Sequence, residues 1–381
     1  MRGSKRRGRR TGSWELRLEV GFDPLTGRRI QRSRTIEGTA KEADAALAEW
    51  ITEANRGHVG TGSRTVAQLL TEGIDQAASE GLERSTIQGY RRVARCQIEP
   101  ALGKRKVHAV TAEELDRFYR ALAAQGYAAG TIKQCHAVLR RVFRTAERWG
   151  WVSRSPVPQA RPPMVKSIDP IPVPVVMIPQ LIECARETDP ILAMIVVMAA
   201  DTGARRGELL ALRWSKIDFA AGTVTIDSAI GEDNHSSYIK GPKNGRERTV
   251  ELTPYALAAL RTHRTWQIEM ALRFGVGLCD DPYLFNSRTA PDGSHYRLPS
   301  NVTAGFAALR DRLGLPKSVH LHGLRHTHVT QLLDANVPIR NVSGRVGHRN
   351  SSTTMNIYAH WVKETDSLSA GAISERIWGN G

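Results

Sequence analysis

Tyr358 follows His348 by ten residues, in Gly347-His348 and Tyr358-Ala359-His360. Just upstream stands His322-Gly323-Leu324-Arg325-His326, and far upstream Thr202-Gly203-Ala204-Arg205-Arg206-Gly207-Glu208. Together these residues offer one phenolic nucleophile and several cations able to surround a phosphate. A phenol has a reference pKa near ~10, so it needs help to attack a phosphodiester. The attacked phosphate gains negative charge at its non-bridging oxygens, and fixed cations and donors aimed there stabilise that charge. Guanidinium suits the role because it stays charged and grips phosphate in a fork. The leaving sugar oxygen must be protonated by a nearby general acid.

Each residue also has a plainer reading. Arg205 sits after a glycine turn at a helix start, where free backbone N–H groups favour anions, and Arg206 competes one residue later. Glu208, three residues on, is placed to orient Arg205 through a charge-assisted bond, as a support and not a catalyst. His322 and Arg325 are three apart, so a helical turn puts both on one face. His322 and His326 have i,i+4 spacing, which invites a metal reading, with His320 and His328 close by. No acidic or cysteine ligand accompanies them and the HExxH pattern is absent, so neither a metal nor another cofactor is expected. His326 and His328 read as packing or hydrogen-bonding residues. Alone, His348 would be a satisfied structural histidine and Tyr358 a core aromatic.

The order and spacing of these pieces resemble the tyrosine recombinase (phage integrase) family. The resemblance rests on "TGARRGELLALRWSKID", on His322-Gly323-Leu324-Arg325, and on "GRVGHRNSSTTMNIYAHW". It implies that Arg205, rather than Arg206, joins His322, Arg325 and His348 at the phosphate, and that Tyr358 is the nucleophile. It places a general-acid lysine on a β-hairpin before a basic strand. There, "IKGPKNGRERTVEL" offers Lys240 and Lys243; counting back from Arg248, Lys243 fits the family spacing better. Two departures stand out: the family usually has Asp at Gly323, which touches the support of the site, and Leu at Val346.

The elements that must position these residues follow from the rest of the chain. Its 381 residues suggest two or three domains, and 41% hydrophobic content is ample for real cores. A net charge of +16 favours a polyanionic partner, nucleic acid first. Cys96, Cys135, Cys184 and Cys279 form no CxxC pair, which fits a reducing, intracellular compartment; the resemblance implies the cytoplasm of a bacterial host. The apolar run 191–200 is too short to span a bilayer and reads as a buried helix, so no membrane partner is expected.

Residues 1–34 carry eleven Arg or Lys and three acids. Met1–Thr11 reads as mobile until it meets a phosphate backbone. Alternation at Trp14, Leu16, Leu18 and Val20 predicts a strand, and Asp23-Pro24-Leu25-Thr26-Gly27 a turn. A second strand over 28–36 places Arg32 and Arg34 on one face, with Arg28 at its start. A helix over 39–55 completes a domain 1–60, which resembles the arm-type DNA-binding domain of integrases; the plainer reading is a hairpin and helix with solvated arginines. Helices over 65–79, 84–98, from Thr111, and over 128–149 form a domain 63–153, and Thr111 with Glu114 marks a capping box. Its sequence resembles the family's four-helix core-binding domain. Arg140, Arg141 and Arg144 on the last helix are candidate DNA contacts, or an ordinary solvated face. Seven prolines between 154 and 174 predict an extended spacer. Residues 175–381 then form a mainly helical catalytic domain with a small antiparallel sheet. The fold class is multidomain α+β.

The resemblance implies a site-specific DNA recombinase that integrates or excises a phage or mobile element through a 3′-phosphotyrosine link. Its partners are double-stranded DNA attachment sites and three further copies in a tetramer on DNA, with an excisionase and a host DNA-bending protein as candidates. The tail, with Ala372, Ile373, Ile377 and Trp378, docks on a neighbour or folds back on its own domain. A type IB topoisomerase-like enzyme would use the same chemistry on one duplex, but a basic amino-terminal sheet suits the bridging of two sites. A non-catalytic DNA-binding protein would need no tyrosine nucleophile.

Overall fold

The strand expected from Trp14, Leu16 and Leu18 is the middle one of three: β1 (Gly3–Arg7), β2 (Ser13–Phe22) and β3 (Arg29–Glu37), antiparallel in the order β1-β2-β3. A computed structural model describes residues 3–8, 10–22, 29–55, 64–164, 171–233, 236–241 and 247–347, with backbone alone at 20–22, 29–30, 32 and 53–55. The chain divides into two units, Met1–Ser167 and Ile168–Gly381.

In the first unit, Leu16 and Leu18 are fully buried on the side of the sheet that meets α1 (Ala40–Asn55). Thr39 caps that helix: its hydroxyl accepts from the Glu42 amide at 3.3 Å while Glu42 Oε2 accepts from the Thr39 amide at 2.7 Å. The basic stretch expected to be mobile is, over Gly3–Arg7, an edge strand. It pairs with β2 from Gly3↔Leu18 to Arg7↔Trp14, and Lys5 binds Asp44 and the Ala40 carbonyl of α1. Pairing and one buried-side lysine order a segment whose own sequence has no apolar alternation.

Helix α2 (Val66–Ser79) starts at a full Thr65–Gln68 capping box. α3 (Arg84–Val93) runs through a π turn, Ala94–Ile98, into α4 (Glu99–Leu102). α5 (Ala112–Ala124) and α6 (Ala129–Arg148) complete the layer. Thr111 accepts from the Glu114 amide at 3.2 Å, but the Glu114 side chain pairs with Arg105 instead of closing the capping box. Leu69, Leu115, Val138, Leu139 and Phe143, all fully buried, form the shared core. The proline-rich stretch expected to be extended turns as a 3-10 helix at Val157–Gln159. Val157 and Ala160 pack into this helical core, and the Arg161 amide donates to Asp116 at 2.7 Å. Apolar residues between the prolines decide that packing.

The second unit is built around α8 (Pro190–Thr202), preceded by α7 (Ile178–Thr188). α8 is buried from Ile191 to Ala199 with no polar face in that run, close to the expectation for residues 191–200. Asp189 caps it and is itself held by the nearly buried Arg297. A short helix, α9 (Arg206–Leu210), leads to a three-stranded antiparallel sheet. Its strands are β4 (Ile217–Asp218), β5 (Thr223–Ile226) and β8 (Arg248–Glu251), in the order β4-β5-β8. β6 (Ala229–Glu232) and β7 (Ser237–Lys240) form the expected hairpin between β5 and β8. α10 (Pro254–Arg273), α11 (Pro299–Arg312), α12 (Leu321–Asp334) and α13 (Ile339–Val346) follow. Among the described residues no helix is long and apolar enough to cross a membrane.

Candidate active site

Elements of the second unit bring Arg205, His322 and Arg325 together. The Gly203 turn ends α8, and Arg205 is the N-cap residue of α9. The Arg205 amide donates to Glu208 Oε2 at 2.9 Å, and its Nη1 donates to Oε1 at 2.8 Å. Its Nη2 reaches the Gly347 carbonyl, 3.1 Å away, at the end of α13. Glu208 is 1% exposed and also accepts from Arg248 Nη2 at 2.6 Å. Burial alone would raise the Glu208 pKa, but the bonds from Arg248 and Arg205 outweigh it and hold the carboxyl below its ordinary value. Glu208 thus makes the charge-assisted bond to Arg205 that its spacing suggests. Arg206 points elsewhere: Nη1 donates to the Pro299 carbonyl at 3.1 Å and to the Thr303 hydroxyl of α11.

α12 supplies the next group. His320 caps it, Nδ1 accepting from the Gly323 amide at 3.1 Å. Arg325, 2% exposed, donates Nη1 to the Gly203 carbonyl at 2.6 Å. Its Nη2 is buried with no hydrogen-bond partner among the described residues. Burial, then the charges of Arg205 and Arg248, push its pKa down to about 9, so it stays charged at neutral pH. His322 is exposed. Loss of water around part of its ring, then His326 and Arg325, push its pKa below the ordinary histidine value. That shift favours the neutral ring in the free chain.

His326 meets His322 edge to face, 4.9 Å between ring centres, and its Nδ1 is buried without a partner among the described residues. His328 hydrogen-bonds the Ala200 carbonyl through Nδ1 at 2.8 Å and accepts from Arg345 Nε through Nε2 at 3.2 Å. Those two bonds fix a neutral ring with the proton on Nδ1, and burial pushes its pKa down to about 4. Among the described residues no group of three His, Cys, Asp or Glu could hold a metal ion.

Gly323 has a steric reason. A Cβ there would come within 3.0 Å of the Ile171 carbonyl and 3.1 Å of Val173. The segment before α7 is fastened across this point: Thr327 Oγ1 donates to the Val173 carbonyl at 2.7 Å. An aspartate would need the 171–173 segment to give by a few tenths of an ångström.

Lys243, His348, Tyr358 and Arg28 lie outside the described residues. Lys240 ends β7, half-buried, with its ammonium 6.0 Å from the Tyr238 ring. In the first unit, register pairs the backbone of Arg32 with Leu18 and that of Arg34 with Leu16, and Arg34 is exposed. The sheet face turned away from Leu16 and Leu18 carries Arg6 and Arg17, held side by side by Glu15, which the sequence reading did not single out. On α6, Arg140 and Arg144 are exposed. Arg141 is instead half-buried and paired, with Arg148, to Glu80 at the end of α2. Arg248 and Arg345 are the site residues that motif reading missed. Arg248 served there only as a landmark for counting back to the lysine.

Comparison with known proteins gives this geometry a context. Residues 177–365 match the phage integrase family. The chain is similar to the XerC-like tyrosine recombinase of Caldanaerobacter subterraneus subsp. tengcongensis, with 26% identity covering 84% of this chain and 86% of the relative. It is also similar to the ICEBs1 integrase of Bacillus subtilis, with 24% identity covering 92% and 93%. In fold, it resembles the Tn1549 transposon integrase in complex with a circular intermediate DNA, with a TM-score of 0.70, 19% identity, and 81% of this chain and 100% of that one covered. A lambda integrase tetramer bound to a Holliday junction has a TM-score of 0.60 at 17% identity, covering 90% and 92%.

Proposed function

We propose, for a chain that belongs to the phage integrase family and is a site-specific recombinase of the tyrosine type, the following division of labour. Tyr358 attacks a DNA phosphate, holds the 3′ phosphate covalently and releases a 5′ hydroxyl. Arg205, Arg325, His322 and His348 bind that phosphate and the charge that develops on it. Lys243 protonates the leaving oxygen, and Glu208 orients Arg205. The 5′ hydroxyl of a partner strand then attacks the phosphotyrosine. Bond energy stays in the covalent link, so the cycle needs neither ATP nor a metal.

The observation that carries this reading is the buried Arg325, one nitrogen of which has no partner among the described residues, beside Arg205, Arg248 and Glu208, the one carboxylate that the described residues place among them. Three guanidinia against one carboxylate leave excess positive charge that an anion would satisfy. Four copies act on two duplexes carrying attachment sites, in the cytoplasm of a bacterial host; the lambda integrase tetramer on a Holliday junction supports that assembly. The first 60 residues bind distal arm sites, the α2–α6 layer binds the core site, and an excisionase and a host DNA-bending protein set direction. The test is Tyr358→Phe. It abolishes the covalent protein–DNA adduct and leaves DNA affinity within about twofold, because only the phenolic oxygen is lost. An adduct that persists would move the nucleophile to another residue.

A further inference from the structure

Arg248 opens β8, directly after the segment that carries Lys243, and its side chain is 11% exposed. It makes two bonds with two different nitrogens. Nη2 donates to Glu208 Oε2 at 2.6 Å, and Nε donates to the Arg345 carbonyl at 2.9 Å. The same carboxylate takes Arg205 Nη1 on its other oxygen, and Arg205 Nη2 reaches the Gly347 carbonyl. The bonds close a ring: Arg248 to Glu208, Glu208 to Arg205, Arg205 to Gly347, and Arg345, two residues back along the chain, to Arg248. Both guanidinia thus sit on the carbonyl end of α13, where the helix favours cations. Gly347 fits the ring twice. Its φ of +67° makes the left-handed cap of α13, and a Cβ there would meet Arg248 Nη1 at 2.9 Å.

We propose that Arg248 is a positioning residue for strand cleavage: it fixes Glu208, and through it the Arg205 guanidinium, against the end of α13 from which His348 follows. It acts through these groups and not on the phosphate. Lysine would keep the charge but has one nitrogen, which does not bridge a carboxylate and a helix carbonyl in the manner of a guanidinium fork. One side chain thus ties β8 to α9 and to the end of α13. The proposal rests on the reading that Tyr358 cleaves DNA.

The test is single-turnover adduct formation by the full chain on a nicked DNA substrate, with the scissile group either an ordinary phosphate or a methylphosphonate. In the latter a methyl replaces one non-bridging oxygen, so its transition state carries less charge and depends less on an aimed guanidinium. Arg248→Gln and Arg248→Lys are compared with Arg205→Ala, with DNA affinity and thermal midpoint measured alongside. Arg248→Lys carries the test if Arg248→Gln does not fold. On phosphate, each Arg248 variant loses about 100-fold in rate with affinity within about threefold, as expected of a misaimed catalytic group. On methylphosphonate the loss shrinks to under about fivefold, as it does for Arg205→Ala. Equal losses on both substrates would make Arg248 mere scaffold and overturn the proposal, as would full activity of Arg248→Lys on phosphate. If the unsubstituted chain forms no adduct at Tyr358, the underlying cleavage reading fails instead.

Discussion

Glu208→Gln isolates the charge at the centre of the site while keeping its volume. The Glu208 carboxylate is 1% exposed and accepts three donors: the Arg205 amide, Arg205 Nη1 and Arg248 Nη2. Glutamine keeps one acceptor oxygen. However its amide is turned, the NH2 faces a guanidinium that is itself only a donor. Breaking a buried ion pair by removing one partner costs roughly 3–5 kcal/mol. Arg205 keeps 27% of its side-chain surface in water, which screens part of that, so the expected loss is about 3 kcal/mol. For a unit of this size that corresponds to roughly 6–12 °C in Tm. Urea unfolding of both proteins measures it directly. The pH dependence gives a second check. The Glu208 pKa is depressed in the folded state, so its contribution is fully present above the ordinary value of 4.5 and is lost as pH falls through the folded value. The stability gap between the two proteins should therefore close in acid. A gap below about 1 kcal/mol at neutral pH, or one that persists unchanged in acid, would refute this account of the carboxylate.

Two further outcomes can be measured, one from the proposed general acid and one from the buried histidines. Lys243→Ala should slow cleavage strongly and Lys240→Ala mildly; a substrate with a 5′-bridging sulfur, a better leaving group, should rescue the Lys243 variant, and rescue confined to Lys240→Ala would reassign the general acid. His263, 5% exposed and bonded to the Leu284 carbonyl, is pushed down to about 4 by burial, as are His326 and His328. Each binds fewer protons folded than unfolded between about pH 6.5 and 4, so stability falls as pH drops through that window, by about 3 kcal/mol for His263 alone; His263→Gln should flatten the profile, measured as unfolding free energy against pH.

What the sequence makes legible is local. Thr39, Thr65 and Thr111 announce helix starts because a cap is a bond between neighbours three residues apart. The apolar run of α8 announces burial because no face of it is polar. What it hides depends on partners far along the chain. Arg205 and Arg206 are equivalent as neighbours in sequence. One reaches Glu208 and Gly347, and the other turns to α11, ninety-odd residues away. Arg141 has the spacing of a solvated or DNA-facing residue, yet Glu80, sixty-one positions earlier, pairs with it. Arg248 looks like one more basic residue on a short strand until the fold sets it beside Glu208.

The arginines of the site share one device. Arg325 bonds the Gly203 carbonyl at the end of α8, and Arg345 bonds the Asp201 carbonyl in the last turn of the same helix. Arg205 and Arg248 bond the Gly347 and Arg345 carbonyls at the end of α13. A helix C-terminus offers unpaired carbonyls with a partial negative charge, enough to hold a guanidinium in place but too little to cancel it. A carboxylate on each arginine would hold it as well and abolish its field. Among Arg205, Arg248 and Arg325, the described residues place one carboxylate, Glu208, which leaves two of three positive charges uncompensated. Burying that excess is costly in the free chain, and the cost is recovered when a phosphate enters. Two helix ends packed beside each other thus achieve what a motif alone does not: rigid cations whose charge remains available to the substrate.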